Sequence, residues 1–306
     1  MRVVLTGATG VIGDALSRAL LAQEHEVLAL TRDVERARTR LDPRVQPQAW
    51  PDPMRTPPPA SALAGADAVV HLLGEPIAQR WSARVKRAIE DSRVLSTRWL
   101  LAALADVDPE RRPRTLVSQS ATGYYGARSN EPLAESASPG SDFLATVTQR
   151  WEHEASRPLE GLRVALTRTG VVLSPRGGAL AKMLPPFRLG VGGPVGGGRQ
   201  YVPWVHLDDV VGALAHCLAD ERAAGPINVT APAPATNAQL ARALGRALHR
   251  PAVLPVPALA LRVLYGEMAS IVLSGQRALP ARLQQLGYRF RHPELADALE
   301  DVLARA

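Results

Sequence analysis

Short apolar runs alternate with longer amphipathic stretches along the first half of the chain and somewhat beyond it. "RVVLTG" leads into "VIGDALSRALLAQ", "EVLALTR" follows, and "DAVVHLLG" leads into "ARVKRAIEDSRVLSTRWLLAAL". Next come "RTLVSQSA" and, after a further helical stretch, "LRVALTRTGVVL". Nearly continuous Val, Leu and Ile runs predict strands buried on both faces, and helices between them imply parallel pairing. The expected fold is α/β, a Rossmann-type doubly wound parallel sheet with a smaller C-terminal lobe. Between about residues 42 and 62 the Pro-rich stretch predicts a surface connection without a long helix or central strand. The segment "FRLGVGGPVGGGRQYVPW", about 187–204, predicts a Gly-rich loop able to act as a flexible lid. From "PINVTAPAPATNAQLARALGRAL" onwards the pattern is helical with short extended pieces. This divides the chain into a nucleotide-binding domain, 1–225, and a substrate-side lobe, 226–306.

Composition narrows the function classes. The 306 residues, 46% of them hydrophobic, suffice for a large core. The net charge of +7 comes from arginines scattered along the chain, with Lys86 and Lys182 the only lysines. No basic cluster with interleaved aromatics stands out, so nucleic acid is not an expected partner. The apolar run "VLPVPALALRVLYG" is cut by Pro255, Pro257 and Arg262, and no segment reaches the roughly 18 apolar residues of a membrane span. No signal peptide is expected, because the glycine loop begins at Gly7, close to the first Met. The single cysteine, Cys217, suits a reducing compartment, with the cytoplasm expected. The histidines at 25, 71, 153, 206, 216, 249 and 292 are dispersed, and no metal is expected. Oligomerisation is left open.

The chemistry begins at "LTGATGVIG". Gly7, Gly10 and Gly13 fall where the first strand turns into a helix, the first allowing a tight turn and the second a close approach of backbone to a pyrophosphate. The helix start at Val11 and Ile12 supplies N–H donors and partial positive charge. A glycine turn packed for structural reasons is the plainer alternative. At the end of the second strand Arg32 stands where a guanidinium can pair with a 2′-phosphate, which favours NADP over NAD. Asp33 beside it weakens that preference if it is the one turned to the ribose. In "HLLGEPI", Leu73 and Gly74 let backbone pass close to the adenosine or diphosphate, while His71 reads as a strand histidine held by packing and one hydrogen bond. "SQSATGYYG" gathers Ser118, Ser120, Thr122, Tyr124 and Tyr125 at the carboxyl edge of the sheet, where ligands bind in this architecture. Ser120 reads equally well as a turn-forming serine that bonds its own backbone.

"TGATGVIG", "SQSATGYYG" and "WVHLDDVVGAL" together resemble the extended and atypical short-chain dehydrogenase/reductase superfamily, on its nucleotide-sugar epimerase branch. "ALTRTGVVLSPRGGALAKMLPPFRLGVGGPVGGGRQYVPWVHLDDVV" with "GEMASIVLSGQRALPARLQQLGYRF" is similar to the "epimerase family protein" group, which carries its own C-terminal domain of unknown function. The resemblance spans essentially the whole chain. It implies a Rossmann fold, bound NADP at Gly7, Gly10, Gly13 and Arg32, and a C-terminal lobe facing the nicotinamide, without implying a substrate. The wider superfamily uses a Tyr and a Lys four residues apart, the Lys lowering the Tyr pKa for proton exchange. Aligned on "DFLATVTQRWEHEA" through Glu152, those positions hold Leu144 and Thr148. Ser120 and Tyr124 are therefore the catalytic candidates. Tyr125, Glu135 and Lys182 are further groups able to assist, and a phenol with no ammonium beside it is a poor base at neutral pH. "WVHLDD" predicts a helix start capped by Asp208 or Asp209, with Trp204 and His206 lining either a pocket or an interlobe seam. The expectation is an NADP-binding oxidoreductase or epimerase-like enzyme acting on a small molecule. Its alternative is a non-catalytic NADP-binding protein that senses redox state or acts through a partner.

Overall fold

The structure, a computed structural model, describes residues 1–305. The seven strands of the main sheet are β1 (Arg2–Thr6), β2 (Glu26–Thr31), β3 (Gln46–Ala49), β4 (Ala68–His71), β5 (Thr115–Ala121), β6 (Arg163–Thr169) and β7 (Gly225–Val229). They form one parallel sheet in the order β7-β6-β5-β4-β1-β2-β3. The helices are α1 (Val11–Ala22), α2 (Val34–Arg40), α3 (Ala60–Leu63), α4 (Ala83–Ala105), α5 (Phe143–Ala155), α6 (Gly178–Arg188) and α7 (Leu207–Ala219). In the C-terminal part follow α8 (Asn237–Ala247), α9 (Ala258–Tyr265), α10 (Ala269–Leu273), α11 (Ala281–Gln285) and α12 (Leu295–Ala304).

The strands are apolar throughout because both faces are covered. Val3 and Leu5 face a core completed by α1 and α7, while Val4 and Val69 face the core under α4. Chain order reverses between β1 and β4, which opens a crevice outside the strands' carboxyl ends. Helix starts follow local chemistry: Ser82, Asp142 and Asp33 each accept a backbone N–H as caps of α4, α5 and α2. Within the Pro-rich stretch the chain still forms β3, which includes Pro47. It lies at the sheet edge, where a strand proline is tolerated.

The lobes divide differently from the expected break at 225. The last sheet strand, β7, runs beyond it to Val229. The second lobe is also not one continuous segment. Leu173, Leu180, Leu184, Phe187 and Trp204 share a core with Leu240, Leu244, Leu299 and Val302. Hydrophobic periodicity locates helices but does not say which lobe a helix will pack on, so the excursion after β6 was not separable from the sheet domain by pattern.

The Gly-rich segment is a packed connector instead of a free lid. α6 occupies its first residues through Arg188. Beyond it, Val195 N–H donates to Asn237 Oδ1 at 2.7 Å, Gly196 N–H to the Val256 carbonyl at 2.9 Å and Val256 N–H to the Pro194 carbonyl at 2.8 Å. A Cβ on Gly193 would stand 2.0 Å from the Leu254 carbonyl oxygen, so close backbone approach is what requires glycine there.

Candidate functional site

The loop between β1 and α1 is built around its glycines. Gly7 has φ +69°, the left-handed region that glycine adopts without strain, and a Cβ there would lie 2.8 Å from the Leu72 carbonyl oxygen. A Cβ on Gly13 would lie 2.3 Å from the Gly7 carbonyl oxygen and 2.7 Å from Ala8 Cα. The helix is thereby drawn tightly onto the loop. Gly10 is the N-cap and supplies no side-chain cap, so the N–H groups of the first turn, at Val11, Ile12 and Gly13, have no partner from that position. An uncapped helix N-terminus with backbone donors is suited to an anion. The segment after β6 closes over it: Arg176 Nη1 pairs with Asp14 at 2.9 Å, and a Cβ on Gly177 would touch Val11 Cγ2 at 2.8 Å.

Arg32 is exposed at the end of β2. Asp33 beside it accepts the Arg36 N–H on Oδ1 at 2.9 Å and caps α2. Leu73 packs half-buried against the core under α4, and Gly74 is exposed beside it.

At the carboxyl end of β5 the hydroxyl residues are drawn into a buried polar network. Ser120, 1% exposed, donates to Glu152 Oε1 at 2.5 Å. Arg168 holds the same carboxylate with two bonds, Nε to Oε1 and Nη2 to Oε2, both 2.8 Å. Its Nη1 donates to Tyr125 Oη at 3.1 Å, and Tyr125 donates to Asn228 Oδ1 at 2.7 Å. Burial opposes the Arg168 charge, but the Glu152 contact outweighs it and raises the guanidinium pKa above its ordinary value. Tyr125 is fully buried, and burial pushes its pKa up. Tyr124 is only half-buried, with the Arg168 guanidinium 3.4 Å from its ring centroid, a cation–π contact. Glu135 is not free to reach a substrate: its Oε1 accepts the N–H groups of Asn228 and Arg282, each at 3.0 Å, and so ties the C-terminal segment to β7.

α5 faces this turn. A Cβ on Gly123 would lie 3.4 Å from Leu144 Cβ and 3.7 Å from Thr148 Oγ1. Both residues are buried, and Thr148 donates to the Leu144 carbonyl at 2.7 Å. No ammonium replaces the missing one: Lys86 pairs with Glu267 at 2.8 Å, and Lys182 Nζ donates to the Ala78 carbonyl.

Residues 3–230 match the NAD dependent epimerase/dehydratase family, and residues 256–302 match a domain of unknown function. The chain belongs to that family. It is similar to epimerase family protein Mb2239 of Mycobacterium bovis, 42% identical over 302 residues that cover 97% of this chain and 96% of the relative. The crystal structure of human epimerase family protein SDR39U1 (isoform 2) with NADPH superposes with a TM-score of 0.89 at 34% identity, covering 100% of both chains. A nucleoside-diphosphate sugar epimerase from Corynebacterium glutamicum superposes with a TM-score of 0.77 at 34% identity, covering 100% of this chain and 58% of that one.

Several other polar residues are held in hydrogen bonds within the fold. His71 is fully buried, its Nδ1 2.9 Å from Thr6 Oγ1 and its Nε2 3.2 Å from Ser96 Oγ, and burial lowers its pKa to about 3. It makes two hydrogen bonds where one was expected. His206, not either aspartate, caps α7, its Nδ1 accepting the Asp208 N–H at 3.0 Å. Trp204 and His206 are both buried, Trp204 in the core it shares with α8 and α12, and His206 stacked on His292 with ring centroids 3.8 Å apart. Asp209, 1% exposed, accepts from Arg291 N–H at 2.7 Å, His292 N–H at 2.9 Å and Tyr288 Oη at 3.1 Å, fastening the C-terminal segment to α7. No described helix is long and apolar enough to cross a membrane. Arg168, which holds Glu152 and Tyr125, and Arg176, which pairs with Asp14, were not singled out from the sequence. For Arg168 a signal was present, an arginine between two threonines directly after the apolar run of the strand "RVALTRT".

Proposed function

We propose that the chain is an NADP(H)-binding oxidoreductase or epimerase-like enzyme acting on a small molecule. The observation that carries this reading is the uncapped, glycine-built N-terminus of α1 at the sheet's switch point. In this reading Gly7, Gly10, Val11, Ile12 and Gly13 hold the diphosphate, Leu73 and Gly74 border the nucleotide, and Arg32 takes the 2′-phosphate. The bound nicotinamide supplies a hydride donor and acceptor.

The proton chemistry is assigned to Ser120 and Tyr124. Because Ser120 gives its own proton to Glu152, what it offers a substrate is a lone pair, which accepts from a hydroxyl and orients it. Tyr124, fixed from behind by Arg168, is left as the group that exchanges the substrate proton. The buried thiol of Cys217, whose pKa burial raises to about 12, is inert in this scheme and fits a cytoplasmic protein. Small-molecule fractions of a cell extract, added with NADPH and followed by nicotinamide absorbance, test the assignment. The expected result is a fraction that consumes NADPH with wild type and not with Tyr124→Phe, while NADPH affinity is nearly the same in both. Turnover untouched by Tyr124→Phe contradicts the role given to Tyr124.

One observation favours the non-catalytic alternative: Leu144 and Thr148 occupy the expected acid–base positions and are buried. That alternative gains if NADPH binds tightly and no fraction consumes it.

A further inference from the structure

Arg93 is a charged group that the proposed chemistry does not use. It lies on α4, three residues before Ser96, whose hydroxyl meets His71 at the carboxyl end of β4. The loop that leaves β4 connects it to the glycine turn. Leu72 presses its carbonyl against Gly7, and Gly74 lies beneath the Arg93 guanidinium, where a Cβ would be 3.0 Å from both Cζ and Nη2. The absence of a side chain at Gly74 lets the guanidinium lie close over the loop. On its other side the guanidinium is 5.4 Å from the ring centroid of Trp151, on α5 three residues beyond Thr148.

The hydrogen bonds of Arg93 are one-sided. Nη1 donates to the Ile89 carbonyl at 3.0 Å and the Glu75 carbonyl at 3.1 Å, with Ser92 Oγ at 3.5 Å. Nε and Nη2 have no hydrogen-bond partner among the described residues, and no carboxylate forms a salt bridge with the side chain. Burial lowers its pKa to about 10, with the charge of Glu75 only partly offsetting this. An arginine anchored through one nitrogen, with its outer donors unused, is pre-organised for the fork-like recognition of an oxyanion.

We infer that Arg93 is an anion anchor of the site, taking a carboxylate or phosphate group between the β4–α4 loop and α5. The inference rests on the nucleotide reading above for its neighbourhood. The anion has two sources, the nucleotide's own phosphates or an anionic substituent of the substrate.

Calorimetry on the full chain separates them. Wild type, Arg93→Met and Arg93→Lys are titrated with NADPH, then with oxalate and with inorganic phosphate in the presence of saturating NADP+. If the anchor serves the nucleotide, Arg93→Met weakens NADPH by about tenfold or more. If it serves a substrate anion, NADPH is unchanged and oxalate or phosphate weakens by that factor, with Arg93→Lys in between because it keeps the charge and loses the fork. Identical affinities of wild type and Arg93→Met for all three probes overturn the inference. A wild type that does not bind NADPH defeats the nucleotide reading instead, while a difference between wild type and Arg93→Met toward oxalate or phosphate alone still upholds the anchor.

Discussion

The N-terminus of α1 and the middle of α5 border the same sheet edge, and they differ in what each requires of the sequence. At α1 the requirement is empty space and unspent backbone N–H groups, which Gly7, Gly10 and Gly13 meet through conformation and the lack of Cβ atoms. At α5 the requirement in the wider superfamily is two particular side chains, and here Leu144 packs apolar while Thr148 spends its hydroxyl on its own helix. On the proposed reading, a nucleotide cradle made of backbone persists while the acid–base pair beside it is absent. Between the two regions, Ser120, Glu152 and Arg168 form a polar network that the sheet buries and satisfies. It makes the turn carrying Tyr124 rigid without supplying a base of the usual kind.

The largest way to break this comparison is to disrupt the network. Glu152→Gln leaves Arg168, whose side chain is 2% exposed, without its counter-charge, and should lower unfolding free energy by about 3–5 kcal/mol in urea titration. NADPH affinity of the folded fraction should hardly change. A loss well below 1 kcal/mol would mean that the pair contributes no more than a surface salt bridge does.

A somewhat smaller effect is expected at the cradle itself. Gly13→Ala places a Cβ against the backbone of Gly7 and Ala8, forcing the helix away from the loop, and should weaken NADPH by roughly a hundredfold in calorimetry. Unchanged affinity in a folded variant would show that the nucleotide is held elsewhere.

A further effect concerns acid stability. His71 has its folded pKa at about 3, below the ordinary 6.5, so below pH 6.5 the unfolded chain binds a proton that the folded chain refuses. The stabilising contribution is complete above that pH and is lost as pH falls towards 3, by about 1.4 kcal/mol per pH unit. His71→Gln should flatten the dependence of urea stability on pH between 6.5 and 5 by about that slope. An identical slope in the variant would place the uptake on other groups.

How much of this was legible follows from the same contrast. The glycine loop, the order of strands and helices and the loss at Leu144 and Thr148 all rest on local spacing or on residue identity at a motif, so a single sequence exposes them. The buried network does not. Glu152 is sixteen residues before Arg168 and thirty-two after Ser120; the pairing of β5 with β6 sets Ser120 beside Arg168, and the packing of α5 on these strands adds Glu152. The hydroxyl cluster thus read as free chemistry, although Ser120 is committed to Glu152. Glycine content alone likewise suggested a lid at 187–204, because glycine marks both mobile loops and tight backbone approach, and Gly193 against Leu254 is the second case. The role of Asp209 could not be read either, since its partners lie some eighty residues away.

The central claim is that the α1 cradle selects a 2′-phosphorylated dinucleotide although the usual proton relay is gone. Parallel calorimetric titrations of wild type and Arg32→Ala with NADPH and NADH test it most directly. Because Arg32 is exposed, its charge-assisted contact should give NADPH an advantage of about tenfold over NADH in the wild type, and Arg32→Ala should erase most of it. Equal affinity of the wild type for the two nucleotides, or no measurable binding of either, would contradict the account.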